Sequence, residues 1–479
     1  MEKARKQKTE KVISAIIYSL IVIFFTVEIF TKPITGEDAY QAQCIANTSY
    51  TGSYEECISD SLSSIPRFGQ LIHTMIISTF YSMPNIGPET VYRLIDAIMC
   101  CAIIYLVIKL ANARTPQLNY QDALTAALVT IAILFSNVAQ IFFSGFASIH
   151  NYALGVLFTL LFIYQWFCGD QIIAKTKHPG LYYALFIICG FIFGSALEIN
   201  SVIFFVILIT GIIVAKIRKC AIKEIGNYLL AHISSIIGVL AGFIFVYLIG
   251  GGIHAIINRS GNYHSTLKIN QLWHNPSIAI PEFFHNTVAN FSSFLPYIFL
   301  AIIALMTLYR RKKRDSRNKI FAISIIYAVL YIIACFSFNS IKWHITASAF
   351  CVLLIPITFL MSELIKQIGH HARAFCSIIA VLILVTFNVD NVLYRIEANT
   401  KTANILERTI RLNCLDRSYI RSQKIPTNSP IFNFHHSEDA FTNTNQEWYG
   451  GTYLVDGYNP YIIVDTCRSP EEMKTMEDN

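Results

Sequence analysis

The sequence predicts an all-α polytopic membrane protein of about eleven transmembrane helices, followed by a small extracytoplasmic α+β domain. Three observations predict it. The chain of 479 residues is 54% apolar and only 14% charged, where a soluble chain carries about a quarter charged residues. Its apolar residues gather into runs of helix-spanning length rather than into alternating or amphipathic patterns. Its basic residues fall in short clusters between alternate runs, as orientation signals do.

The spans read as 12–31, 91–110, 122–142, 151–168, 181–196, 199–216, 228–250, 288–309, 320–338, 345–364 and 374–393. Lys3, Arg5, Lys6, Lys8 and Lys11 precede the first and place the N-terminus in the cytoplasm. The first run is longer than a signal-peptide core and lacks a small-residue cleavage site, so it reads as a retained anchor. Segments assigned to the inner face carry 22 Lys and Arg, against five in the outer segments before residue 394. The run Arg310-Arg311-Lys312-Lys313-Arg314 is the firmest inner signal. An odd number of spans leaves the C-terminus outside.

Residues 1–394 therefore form the transmembrane domain, and 395–479 a polar outer domain. In that outer domain Ile405–Leu412 reads as a short amphipathic helix. Ile431–Phe434, Thr452–Val455 and Tyr461–Val464 read as strands. Cys414 and Cys467 are its only cysteines, and Cys44 and Cys57 share the first outer loop. On an oxidising side each pair reads as a disulfide. The net charge of +7 is spent on orientation clusters and does not form a nucleic-acid footprint. A Gly-rich phosphate loop, a C-x-x-C pair and an H-E-x-x-H helix are all missing.

The polar residues suited to chemistry lie in the outer segments. Glu37 and Asp38, within Gly36-Glu37-Asp38-Ala39-Tyr40, follow the first span directly. Paired carboxylates at a membrane helix mouth belong in water or a polar cavity. They can deprotonate a hydroxyl or hold a divalent cation. Arg67 opens the stretch Arg67-Phe68-Gly69-Gln70-Leu71-Ile72-His73, and Phe68 to Met83 reads as an interfacial helix or a half-span. Arg93 and Asp96 open the second span at i, i+3 and are expected to pair. His150, Asn151 and Tyr152 occupy the turn between spans three and four. Glu198 sits in the very short turn between spans five and six. Arg259 lies in the second large outer loop, and Lys342 and His344 precede the tenth span. Arg and Lys in such places can clamp a phosphate leaving group.

The topology and the Gly36–Tyr40 stretch resemble the GT-C superfamily of polytopic glycosyltransferases. More narrowly, they resemble bacterial GtrII-like membrane proteins, as does the placing of His150-Asn151-Tyr152 and Glu198. The resemblance covers roughly residues 12–360. It implies a GT-C-like transmembrane domain in a bacterial cell membrane. It also implies transfer of a sugar from a polyprenyl-phosphate-linked donor to a cell-surface glycan or lipid acceptor, with Asp38 or Glu37 as catalytic base. The pair here is Glu-Asp rather than Asp-Asp, and Lys342 and His344 stand where an Arg is expected. Two other functions fit the same class of protein: a transporter or flippase for a lipid-linked glycan, and a non-catalytic assembly protein of the cell surface. A transporter should carry polar residues along a path through the bilayer. The middle of the spans offers few: Glu28 lies near the outer end of its run and Glu363 near the inner end of its own.

Overall fold

A computed structural model describes residues 2–32, 67–82, 87–143, 145–174, 176–249, 275–310, 316–337 and 346–412; beyond them it describes chiefly 414–415, 428–434 and 465–466. It is a helical bundle. In chain order the main helices are α1 (Glu2–Phe30), α2 (Phe68–Ser82), α3 (Gly87–Asn112), α4 (Tyr120–Leu134), α5 (Leu154–Ile173), α6 (Pro179–Ala196) and α7 (Glu198–Ile217). They continue as α8 (Ile222–Ala231), α9 (Ile233–Ile244), α10 (Pro276–Arg310), α11 (Ser316–Ser337), α12 (Ala347–Gln367) and α13 (His370–Leu412). Among the described residues, eight helices are long and apolar enough to cross a membrane. The pair α8–α9, bent by 70°, would make a ninth span. The remaining two predicted spans, 122–142 and 288–309, coincide with the shorter apolar helices Tyr120–Leu134 and Phe294–Arg310. A multi-pass helical membrane protein follows.

The bundle has a proximal end, where the chain begins, and a distal end, where α1 stops. At the proximal end Asn119 caps α4, its side chain accepting from the Asp122 N–H at 2.8 Å. Asp122 in turn receives both guanidinium nitrogens of Arg114, at 2.6 and 2.7 Å. This charge-assisted bond holds the Arg114 guanidinium above its ordinary range. Glu10 of α1 accepts from the Tyr120 N–H at 3.0 Å, closing α4 onto α1.

Helices α1 and α13 run parallel, joined by polar side chains at a constant offset. Asn388 donates to the Leu20 carbonyl at 3.1 Å, Arg395 pairs with Glu28, and Asn399 donates to the Thr31 carbonyl at 3.2 Å. Asn388, Arg395 and Asn399 recur at spacings close to two helical turns and one, which keeps them on one face. Glu28 is fully buried; Arg395 Nε reaches its Oε2 at 3.2 Å and Lys32 Nζ lies 3.5 Å from its Oε1. A carboxylate in that interior is tolerable only when matched in this way.

Helices α6 and α9 touch backbone to backbone. Gly190 and Gly194 face Gly238 and Gly242, and a Cβ on Gly238 would lie 2.3 Å from the Ile187 carbonyl oxygen. Small residues four apart on both helices permit this approach, as membrane helix pairs favour.

Three expectations need correction. The third predicted span is not one helix: α4 ends at Leu134, and Ser136 to Ala153 form a 3-10 turn, two short α segments and a π-helical turn. Ser136 turns its hydroxyl onto the Ile133 carbonyl at 2.7 Å, satisfying a helix-end acceptor where the chain breaks. The boundary expected at 394/395 is not a break, because α13 runs unbroken through Ile405–Leu412. Ile431–Phe434 is a turn, with Asn433 at φ 56°, rather than a strand. It is seated by Asp390, which accepts from the Ile431 and Phe432 N–H groups at 2.7 and 3.3 Å. Phe434 packs among Phe135, Phe143 and Phe387. Thr452–Val455 and Tyr461–Val464 lie outside the described residues. Cys414 opens β1 (Cys414–Leu415), which pairs in parallel with β2 (Asp465–Thr466). Cys44, Cys57 and Cys467 lie outside the described residues.

Breaking the buried pair from one side should unfold the bundle more readily. Arg395→Met should cost on the order of 3–5 kcal/mol, read as a lower thermal midpoint in detergent. The double variant Glu28→Gln, Arg395→Met should recover part of the loss, because the unmatched carboxylate is gone while buried Lys32 loses its acid.

Candidate functional site

The distal end holds a cluster of buried polar side chains drawn from α1, α2, α3 and the π-helical turn Ile149–Ala153. Its base is the end of α1, whose last carbonyls lack helical donors. Arg93 of α3 supplies them: Nη1 donates to the carbonyls of Ile29, Phe30 and Lys32 at 2.6, 3.3 and 2.9 Å. A guanidinium there also meets the negative end of the helix dipole. Lys32 bends the other way and donates to the Phe142 carbonyl at 2.6 Å. Both cations lie over the face of Phe146, at 5.0 Å for Arg93 and 6.0 Å for Lys32.

Asp96 does not pair with Arg93 as expected. One turn further along α3, it faces His150, whose Nε2 lies 3.1 Å from both carboxylate oxygens. The opposite ring nitrogen of His150, Nδ1, lies 2.9 Å from Nδ1 of His73 on α2. Asp96, His150 and His73 are all buried. A contact between two imidazole Nδ1 atoms needs one proton between them. Either His73 donates to a neutral His150, or a doubly protonated His150 donates to His73, with Asp96 balancing its charge. The two arrangements differ by one proton: the second needs a proton to arrive at His73 Nε2 while the bridging proton shifts to His150, and Asp96 stays a carboxylate in both.

Helix α2 is not a surface strip, as an interfacial helix would be. It is pressed against the π turn: a Cβ on Gly69 would lie 2.3 Å from the His150 carbonyl oxygen. Phe68 packs edge-on against Phe191 of α6. Only glycine allows α2 so close, and that approach brings His73 to His150. Next to the trio, Asn151 Nδ2 donates to Gln70 Oε1 at 2.6 Å, while Arg67 donates to the Tyr152 hydroxyl at 3.2 Å and lies over its ring at 5.7 Å. The Asn151 Oδ1 is buried and meets no donor among the described residues, which leaves an acceptor for a hydroxyl or water. The wider π turn places three successive side chains, His150, Asn151 and Tyr152, on contacts with α2 and α3. Such turns recur at functional sites.

Of the candidates read from the sequence, Arg67, His150, Asn151 and Tyr152 come together here. Glu198 opens α7 at the same end. Gly155 packs against Leu197, so the turn carrying Glu198 adjoins the π segment. The Glu198 side chain, and Glu37, Asp38, Arg259, Lys342 and His344, lie outside the described residues. His73, Gln70 and Asp96 were not singled out as site residues. The signal was available: Arg67, just before α2, and Gln70 and His73 within it recur every three residues. Among the described residues no group of three or more His, Cys, Asp or Glu could hold a metal ion. Comparison with family models, curated proteins and solved structures returns no match.

If Gly69 sets the His73–His150 contact, a larger residue should open it. His73 is fully buried and should resist diethyl pyrocarbonate in the wild-type protein. In Gly69→Val it should become reactive, as peptide mass mapping would show; equal protection in both would contradict the close-approach account.

Proposed function

We propose that the chain is a membrane glycosyltransferase of the bacterial cell envelope. It moves a sugar from a polyprenyl-phosphate-linked donor to a cell-surface glycan or lipid acceptor. In this reading the N-terminus is cytoplasmic, the distal end is the outer face, and residues past Leu412 form a small α+β domain there. The orientation rests on the basic clusters of the proximal segments. The domain rests on the pairing of β1 with β2 and the seating of residues 431–434 beside α13.

The observation that carries the reading is the buried Asp96–His150–His73 chain with Arg67, Tyr152 and Asn151 beside it, at the end of the helix that leads into Glu37 and Asp38. Six residues separate Lys32 from Asp38, so covalent reach keeps the acidic pair within about 20 Å of the cluster's base. In the reaction, the acceptor hydroxyl oxygen forms a bond to the anomeric carbon. The bond from that carbon to the donor phosphate oxygen breaks, and the polyprenyl phosphate leaves with the bonding electrons. Asp38 or Glu37 accepts the hydroxyl proton. Arg67, with Arg259, Lys342 and His344 as further candidates, offsets the charge gathering on the leaving phosphate. Glu198, Asn151 and Tyr152 orient sugar hydroxyls. A divalent cation held by Glu37 and Asp38 would act on the same phosphate.

One observation favours a second reading, a flippase or transporter for a lipid-linked glycan. The α1–α13 seam is polar along much of its length, and buried Asn391 has no hydrogen-bond partner for either end of its amide among the described residues. A hydrated path along a helix interface would look like this.

The two readings part at the acidic pair. Asp38→Asn with Glu37→Gln should abolish sugar transfer while the protein still reaches the membrane. Unchanged cell-surface glycan composition in that variant would remove the transferase reading. Lipid-linked glycan flipping by the same reconstituted variant would favour the transporter.

A further inference from the structure

Helix α8 has no counterpart elsewhere in the described bundle. It is ten residues long, none of them is buried, and it meets α9 at 70°. A helix that short is marginal in water without packing, and the protein supplies little packing here. Its residues sort sharply around the axis. Ile222, Ile225, Gly226, Leu229 and Leu230 share one broad face, and Lys223, Glu224 and Asn227 the other. Ile222 is 81% exposed and Leu230 67%. Since α9 runs with the bundle, a helix bent by 70° from it lies nearly in the membrane plane, with its apolar face toward acyl chains.

The turn into α8 is basic. Lys216, Arg218, Lys219 and Lys223 are exposed, and none forms an ion pair with a carboxylate among the described residues. Lys219 is the telling one. Helix α7 ends with Cys220 N–H bonded to the Ala215 carbonyl and Lys219 N–H to that of Lys216, a cap that puts Lys219 at φ 59°. Glycine is the residue suited to that conformation. A lysine there keeps a fourth cation at the mouth of α8 against the local backbone preference. At the far end of α8, His232 stacks on Trp166 with centroids 4.2 Å apart, and Trp166 Nε1 donates to the Tyr228 hydroxyl at 2.8 Å. Such amphipathic rings suit the headgroup level.

We propose that residues 216–231 form an in-plane anchor that binds anionic phospholipid headgroups of the leaflet at the proximal end. Lys216, Arg218, Lys219 and Lys223 meet the phosphates, while Ile222 and Leu230 enter the acyl boundary. This does not depend on the transferase reading; it rests on the geometry and charge of the α7–α9 connection alone.

Brominated lipids test it in nanodiscs of the full chain, through quenching of Trp166 fluorescence, isolated by subtracting the signal of Trp166→Phe. Brominated phosphatidylglycerol should quench Trp166 more strongly than brominated phosphatidylcholine at equal content, and high salt should erase the difference. Each basic residue near an anionic surface contributes about fivefold to binding. Four such factors multiply to several hundredfold, so changing all four to Gln should erase the enrichment. Lys219→Gly, which suits its cap, should keep the fold and lose only a single residue's share. Equal quenching by the two lipids in the wild type would overturn the proposal. So would a preference that survives the four-Gln change, or an Ile222→Asp variant that alters the number of copies per particle and leaves the lipid preference intact.

Discussion

A carboxylate removed from water has to be matched, and the matching of Glu28 organises much of this bundle. Arg395 comes from the last long helix and Lys32 from the residues just past the first. Their convergence on one buried acid ties the two ends of the transmembrane sequence into a parallel pair. The Asn388 and Asn399 amides extend the match along the seam. In an apolar bundle most helix contacts are interchangeable, because one leucine face fits another tolerably well. A buried charge is not interchangeable. It penalises any register in which Arg395 misses Glu28, so it supplies specificity even where its net contribution to stability is small.

The end of α1 passes that order outward. Its last carbonyls recruit Arg93, which sets α3, and α3 in turn presents Asp96 to the π turn. Lys32 reaches the broken stretch after α4 and holds it against the same helix end. The polar cluster is thus built on rigid helix termini rather than on a free loop. The single concession to closeness is Gly69, where α2 meets backbone. A hydrogen-bonded trio gains from such support, since hydrogen bonds between ring nitrogens fail with small displacements. The chemistry proposed for this end asks for groups of that kind: a place for a proton, a cation near a leaving phosphate, and hydroxyl-binding amides.

The two ends of the bundle solve different problems. At the proximal end the basic α7–α8 connection stands open, and the buried Asp122 is matched by a guanidinium, Arg114, that is itself partly exposed. At the distal end charges are buried and meet one another. This contrast is what a membrane imposes when one side carries orientation signals and the other a site: the first can stay solvated, while the second has to be assembled from distant segments and desolvated.

The sequence by itself determined the class of protein and the places of most of its spans. Apolar runs of helical length leave few alternatives in a bilayer, where every backbone amide needs an internal partner. Arg67, His150, Asn151 and Tyr152 were legible as site candidates because polar residues at helix mouths are costly and therefore conspicuous. Other features were decided only in three dimensions. Asp96 chose His150 over Arg93, and Arg93 went to the carbonyls of α1, because burial rewards the partner that satisfies most orphan groups rather than the nearest in sequence. The break after Leu134 and the π turn arise where short polar residues and competing contacts override an apolar run. Packing against α1 carries α13 past the point where its hydropathy falls, as far as Asn399 opposite the end of α1. His73 looked like any histidine in an apolar stretch until the close approach at Gly69 gave it a neighbour 77 residues away.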